Sequence, residues 1–344
     1  MSVEVFRPEF AEPFDEFLLT HPSSLFYSSS KYRQFLLELL GCGDESLVAV
    51  DGGVIRGVLP LLSMRGEKGR VYNSLPYFGS NGGIVADNPA LCAELVHAYN
   101  AIAGSQDTLA ATIIDHPIAP QVCSGLRHNY TDQRIGQFTD IAIQADHREE
   151  ILTRIESRAR WSVKKASHNG VTVEIDPTQF DRLRQLHQEN MQSIGGVAKS
   201  DAFFALVPRH FLPGQDFDLY VAKRDGVIIA ALLLFYFNRT VEYFTPAIDN
   251  AFRAMQPLSL MLLEAMTDAS RRGFAWWNWG GTWTSQSGVY LFKRQWAASD
   301  SRYSYYTQLN DDFILERSCD EILGLYPNFF VVPFSVLKGD GSTG

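Results

Sequence analysis

The sequence predicts a mixed α/β protein made of two tandem units, each a mixed sheet flanked by helices, and three observations carry that prediction. The chain of 344 residues is 46% hydrophobic and 20% charged, enough apolar material for a large core and enough length for two. A strand–turn–strand pattern occurs twice, as VAVDGGVIRGVLPLL from Val48 to Leu62 and VAKRDGVIIAALLLF from Val221 to Phe235. After each copy the same order follows at an offset of roughly 170 residues: a short strand, a loop, a helix led by proline, and a strand.

In each hairpin a β-rich run meets a charged glycine turn, Asp51-Gly52-Gly53 or Asp225-Gly226, that suits a tight connection. In the first unit Arg70-Val71-Tyr72 opens the next strand, Asn88-Pro89 opens an amphipathic run to about Ala103, and TLAATIID forms a strand ending at Asp115. The equivalents in the second unit are Arg239 to Tyr243, a helix from Pro257 to Arg272, and FAWWNW ending at Trp279. Proline in the first turn loses no hydrogen bond there, and its fixed φ already suits the helix. Between the copies, Ile151 to Ala166 reads as one basic amphipathic helix. Ile151, Ile155, Ala159, Ser162 and Ala166 share a face, and Arg158, Arg160, Lys164 and Lys165 lie off it. Asp181 to Ser193 and Asp201 to Phe211 read as further helices. A boundary just after the strand-like Thr139 to Ile143 gives a first unit of residues 1–146, a second of 147–312 that includes the basic helix 151–166, and a flexible tail at 337–344.

Charge and cysteine usage narrow the function classes. A net charge of −9 argues against a general polyanion binder, so DNA is not an expected partner and any nucleic-acid contact must be local. The cysteines at 42, 92, 123 and 319 show no CxxC pair, and four reduced, mostly buried thiols are expected. The eight histidines lack metal-ligand spacing, so no metal is expected. The first residues carry Glu4, Arg7 and Glu9 in place of a signal-peptide core, and no apolar run is long enough to span a membrane, which predicts a cytoplasmic protein. No G-x-S-x-G, H-E-x-x-H or P-loop occurs. Oligomeric state is not readable.

Several stretches resemble the FemABX-like branch of the GNAT acyltransferases. In the first unit they are Leu75 to Gly83, LPYFGSNGG, with Val163-Lys164-Lys165-Ala166 before Asn169-Gly170-Val171 following it. In the second they are Gln256-Pro257-Leu258, Asn278-Trp279-Gly280-Gly281 and Leu291-Phe292-Lys293-Arg294. The resemblance spans about residues 45 to 310. It implies two GNAT folds, with the acceptor beside the first and the donor in a channel of the second, between its fourth and fifth strands. It also implies that a C-terminal segment, here 313–336, returns to the first unit. One departure stands out. GNAT enzymes that use acetyl-CoA usually cradle its pyrophosphate on a glycine loop, whereas Arg253-Ala254-Met255-Gln256-Pro257-Leu258 has no glycine.

Amide formation from an activated acyl group needs a neutral amine, stabilisation of an oxyanion and proton transfer, but no covalent nucleophile. Lys293, in the family's Phe-Lys motif, is the candidate for charge neutralisation, with a surface lysine as the alternative. Glu242, on the candidate fourth strand, reads either as the carboxylate base or as a solvent-facing glutamate. Asn278 and Gly280 end a strand where a backbone can approach a ligand closely. Trp276, Trp277, Trp279 and Trp283 could wall a channel. Arg253, Gln256, Gly280 and Phe292 are the candidate donor-binding residues, Phe292 reading mainly as packing. Tyr77, Phe78 and Gly79 suit a sugar-binding loop or a plain structural one, and Arg158, Arg160, Lys164 and Lys165 suit phosphate or a solvated face. Asp115 and His116 occupy the matching strand end in the first unit and read mainly as loop caps. The expected activity is an N-acyltransferase with acyl-CoA as co-substrate and no permanently bound cofactor. Its acceptor is expected to be an amino-sugar or nucleotide-linked amine from cell-envelope or polysaccharide synthesis. A non-catalytic glycan- or nucleotide-binding protein and a tRNA-dependent peptidyltransferase are the alternatives, tRNA being the less favoured donor.

Overall fold

A computed structural model describes residues 2–77, 82–118, 124–283 and 286–338. It divides into unit 1, residues 1–135 with 301–344, and unit 2, residues 136–300. The boundary expected at 146 falls within unit 2, and residues 301–312, expected in the second unit, fall in unit 1. The physical reason is that two eleven-residue strands, Tyr130–Asp140 and Ser299–Leu309, carry the chain from one unit into the other, so neither crossing is a loop.

Unit 1 contains β1 (Ser2–Val5), α1 (Ala11–Thr20), α2 (Ser30–Leu40), β2 (Gly43–Asp44), β3 (Leu47–Asp51), β4 (Val54–Leu59), β5 (Leu62–Gly66) and β6 (Gly69–Asn73). These are followed by β7 (Val85–Ala86), α3 (Pro89–Ala103) and β8 (Thr108–Ile114), then by β9 (Tyr130–Asp140), which leaves the unit. One sheet runs β1-β3-β4-β7. In the other, β6 lies parallel to β8 and antiparallel to β5, which pairs with β2. Asn88 caps α3 by accepting from the Ala90 and Leu91 N–H groups, with Pro89 behind it. Leu91, Leu95 and Tyr99 of α3 pack on Leu47, Ala49 and Leu59. In the segment after Leu309, the Phe330 N–H donates to Asn73 Oδ1 and Asn73 Nδ2 donates to the Phe330 carbonyl, at 2.7 and 2.8 Å. Cys42 and Cys319 stand outside disulfides, but Cys92 is disulfide-bonded, which corrects the expectation of four reduced cysteines. Cys123 lies outside the described residues.

Unit 2 opens with α4 (His147–Arg154) and α5 (Ser157–His168), then β10 (Thr172–Ile175), α6 (Phe180–Ser193), α7 (Asp201–His210), β11 (Phe217–Arg224), β12 (Val227–Phe237) and β13 (Thr240–Ile248). It closes with α8 (Pro257–Arg271), β14 (Trp276–Trp283) and α9 (Ser287–Arg294), and β15 (Ser299–Leu309) leads back to unit 1. The sheet order is β10-β11-β12-β13-β14, antiparallel except for β13 beside β14. The helix expected over 151–166 is two helices. Ile155 is extended, and the next N–H, of Glu156, donates 2.9 Å to the Gln295 carbonyl instead of continuing the helix.

The two hairpins match in detail. Gly52 and Gly53, like Asp225 and Gly226, both have positive φ, as a type I′ turn demands. A register shift sits between Ala49 and Val50 in one copy and between Ala222 and Lys223 in the other, at equivalent positions. One face of the unit 2 sheet carries the larger core, in which Leu232, Leu234, Val241, Trp277 and Trp279 meet Met261, Leu262, Ala265 and Met266 of α8. The opposite face carries Phe203, Phe211, Phe235 and Phe244, whose rings touch in sequence at 5.0–5.8 Å.

Candidate functional site

The parallel pairing of β13 with β14 runs through Thr240↔Trp276 and Val241↔Trp277 and ends at Glu242↔Asn278. Both strands continue beyond that pair, so they part there and leave an opening in the sheet whose apex is Glu242 and Asn278. Register partners place their side chains on one face. That face is the one with Phe235, which is opposite Glu242 on β12. Glu242 and Asn278 are both fully buried, which corrects the solvent-facing reading of Glu242. Asn278 Oδ1 accepts from the Gly280 N–H at 2.8 Å, while its Nδ2 is buried with no hydrogen-bond partner. A buried, unmatched amide donor is costly, and such groups concentrate where a ligand completes the network.

Beyond Asn278 the strand turns sharply, since Gly280 sits at φ 72° in the left-handed region. The turn aims the carbonyls of Gly280 and Gly281 and the Thr282 hydroxyl at Lys293 of α9. Its ammonium donates to Thr282 Oγ1 at 2.7 Å and to the two carbonyls at 3.4 Å each. Lys293 is 4% exposed, which sets aside the surface-lysine reading, and burial pushes its ammonium down to about 8. Thr282 is fixed from the other side by Gln137 Oε1 at 3.3 Å. Asn278, the Gly280 peptide and Lys293 thus form one hydrogen-bonded chain.

A cleft of about 280 Å³ lies between α5, the start of α8 and α9, lined in part by Arg158, Ser162, Gln256, Ser259, Phe292 and Gln295. It brings together three expected binding residues, Arg158, Gln256 and Phe292. Gln256 is in the left-handed region at φ 61°, unusual for a residue with a side chain, and no side chain caps the N-terminus of α8 behind it. The first turn of α8 therefore presents amide groups and a positive dipole end near the cleft without glycines. Phe292 also packs edge-on against Trp279, so it is both wall and core.

The other expected residues are placed differently. Arg160 donates to the carbonyls of Leu152, at 3.2 Å, and Ile155, closing the end of α4, so its role is structural. Lys164 is exposed on α5, and Arg253 is exposed and donates 3.0 Å to Asn250 Oδ1. Trp276 and Trp283 lie at the ends of β14, whereas Trp277 and Trp279 are core. Tyr77, in unit 1, is buried in the left-handed region with its N–H donating to the Asn328 carbonyl, so its ring offers no open stacking face. Phe78 and Gly79 lie outside the described residues. Asp115 and His116 are buried too. Burial pushes the Asp115 carboxyl up, and burial, with His21 nearby, pushes His116 down to about 4. Among the described residues no cluster could hold a metal ion.

Sequence reasoning missed Gln137 and Thr282, polar residues without a motif, and Lys199. The Lys199 ammonium lies over Phe203 and Phe244, at 5.8 and 5.3 Å, on the Glu242 side of the sheet, and burial pushes it down to about 8. Its backbone N–H donates to His187 Nε2 at 3.1 Å. The signal was available only as the short lysine-bearing loop between two helices.

Residues 153–294 match the model of the acetyltransferase (GNAT) domain family. This stretch, under half of the chain, is similar to GNAT-type acetyltransferase domains. Across the chain the fold is similar to that of FemX. The crystal structure of FemX is similar at a TM-score of 0.71 with 17% identity, covering 88% of this chain and 97% of that one. The C-terminal domain of a putative lysylphosphatidylglycerol synthetase from Agrobacterium fabrum gives 0.58 with 13% identity, covering 94% and 98%. L-PGS from Bacillus licheniformis gives 0.54 with 13% identity, covering 94% and 96%. At these identities the likeness is one of fold. No curated protein sequence matches the chain. No helix among the described residues is long and apolar enough to cross a membrane.

Proposed function

We propose that the protein is an N-acyltransferase that moves an acyl group from acyl-CoA to an amine on a sugar- or phosphate-bearing precursor of envelope or polysaccharide synthesis. The observation that carries this reading is the parting of β13 and β14 at Glu242 and Asn278, with a cleft at the uncapped start of α8 on the other face of the same sheet. An extended thioester arm fits such an opening, and a diphosphate suits the positive end of α8 with Arg158 across from it. This favours a small donor over aminoacyl-tRNA.

In this reading the acceptor amine attacks the thioester carbonyl, forming the C–N bond, and the C–S bond breaks. Glu242 takes the proton released by the amine. Lys293, whose buried ammonium loses its proton near pH 8, returns a proton to the departing thiolate. Asn278 Nδ2 donates to the carbonyl oxygen as negative charge develops there. Unit 1 is assigned to the acceptor, as in the family. The FemX likeness keeps tRNA-dependent peptidyl transfer as a second reading, and that reading predicts binding of charged tRNA that weakens steeply with salt.

The test is release of free thiol from acyl-CoA by the purified protein against a panel of amino-sugar nucleotides. Thiol release that is lost in Glu242→Gln supports the assignment. No release with any pair overturns the acyl-CoA reading.

A further inference from the structure

Helix α5 reads SRARWSVKKASH, twelve residues with four cations and no carboxylate, in a chain of net charge −9. At 3.6 residues per turn, Lys164, Trp161, Lys165 and Arg158 lie on one side of it, with Ser157 and His168 among them. The opposite side, Ala159, Val163 and Ala166, is buried. Trp161 is 57% exposed, and the Lys165 ammonium lies 4.9 Å from its ring. Helix α9, across the cleft, reads SGVYLFKR, also without a carboxylate, and exposes Leu291 (57%), Val289 and Arg294. The nearest carboxylates in sequence are Glu156, just ahead of α5, and Asp300, which accepts from the Tyr290 hydroxyl at 2.9 Å.

Exposed tryptophan, two exposed aliphatic side chains and a ring of lysine and arginine are the composition of a surface that sits at a bilayer interface. The indole and aliphatic groups enter the headgroup region, and the cations face anionic lipid. A single-stranded nucleic acid would use the cations and Trp161, but it has no use for Val289 and Leu291 in the open. We infer that the rim of the unit 2 cleft formed by α5 and α9 docks on an anionic membrane surface, with Trp161 and Leu291 inserted and Lys164, Lys165 and Arg294 against the lipid charge. The contact is peripheral, and it opens the cleft between the two helices toward the bilayer. It stands independently of which acyl donor the site takes.

The test is co-sedimentation of the full chain with phosphatidylglycerol-containing vesicles, with pure phosphatidylcholine vesicles as the control, at low and high salt. Binding to the anionic vesicles that falls with salt is expected. Each lysine near such a surface contributes on the order of 1 kcal/mol, so K164E/K165E should lower partitioning by about tenfold or more. Trp161→Ala and Leu291→Ser should each weaken it while leaving the circular dichroism spectrum and melting temperature unchanged. Absence of binding to anionic vesicles at low salt overturns the inference, as does binding that K164E/K165E and Trp161→Ala leave intact. Retention by tRNA with no vesicle binding also overturns it and assigns the surface to RNA.

Discussion

Replacing Lys293 by methionine separates a lysine that is merely present from one held charged at the expense of folding. In the folded protein burial pushes its ammonium down to about 8, against an ordinary value of 10.5. Below pH 8 the lysine is protonated in both states, and the folded state carries the full penalty of a buried charge. Between 8 and 10.5 the unfolded chain binds more protons than the folded one, so wild-type stability rises with pH relative to the methionine variant. From about pH 7 to about pH 9.5 the gain is the part above 8, near 1.5 pH units at about 1.36 kcal/mol each, or about 2 kcal/mol. The variant also leaves Thr282 Oγ1 and two carbonyls without their donor, but that loss is largely pH-independent. Urea unfolding of both proteins at the two pH values measures the difference. A stability gap that stays flat from pH 7 to 9.5 would refute the account of Lys293 as a strained, buried ammonium.

Four further outcomes follow from the site. Glu242→Gln should lower kcat by roughly 10²–10⁴-fold with little change in KM, the size expected for loss of a general base; steady-state kinetics decide it. Lys293→Arg should lower kcat and remove the falling alkaline limb expected near pH 8 in wild type, because guanidinium keeps its charge but does not release its proton to the thiolate. Arg158→Ala should raise the Kd for coenzyme A in titration calorimetry, whereas Arg160→Ala should leave it unchanged and cost about 1–3 kcal/mol of stability through the freed carbonyls of α4. Gly280→Ala should cost about 1–2 kcal/mol by placing a Cβ in the left-handed region, read as a lower Tm.

The sequence showed most of the fold where local chemistry and tertiary structure agree. The Asp225-Gly226 turn, the Pro89 and Pro257 helix starts and the repeat order are all local signals, and the structure keeps each of them. The break in the 151–166 helix was not legible, because what stops it is the Gln295 carbonyl, more than a hundred residues away. Glu242 illustrates the same limit. Along a strand a glutamate reads as solvent-facing, and only the covering α6 and α7 make that face an interior one. Lys293 was recognisable through its motif, but its partner Thr282 depends on the turn at Gly280. The boundary at 146 was drawn at a loop, whereas the chain crosses between units within strands.

The most direct measurement is a crystal structure of the protein with a non-hydrolysable acyl-CoA analogue. The account predicts the pantetheine arm between β13 and β14, the thioester carbonyl within hydrogen-bond reach of Asn278 Nδ2, and the pyrophosphate at the start of α8 near Gln256 and Ser259. An analogue bound elsewhere, with β13 and β14 unoccupied at saturating concentration, contradicts it.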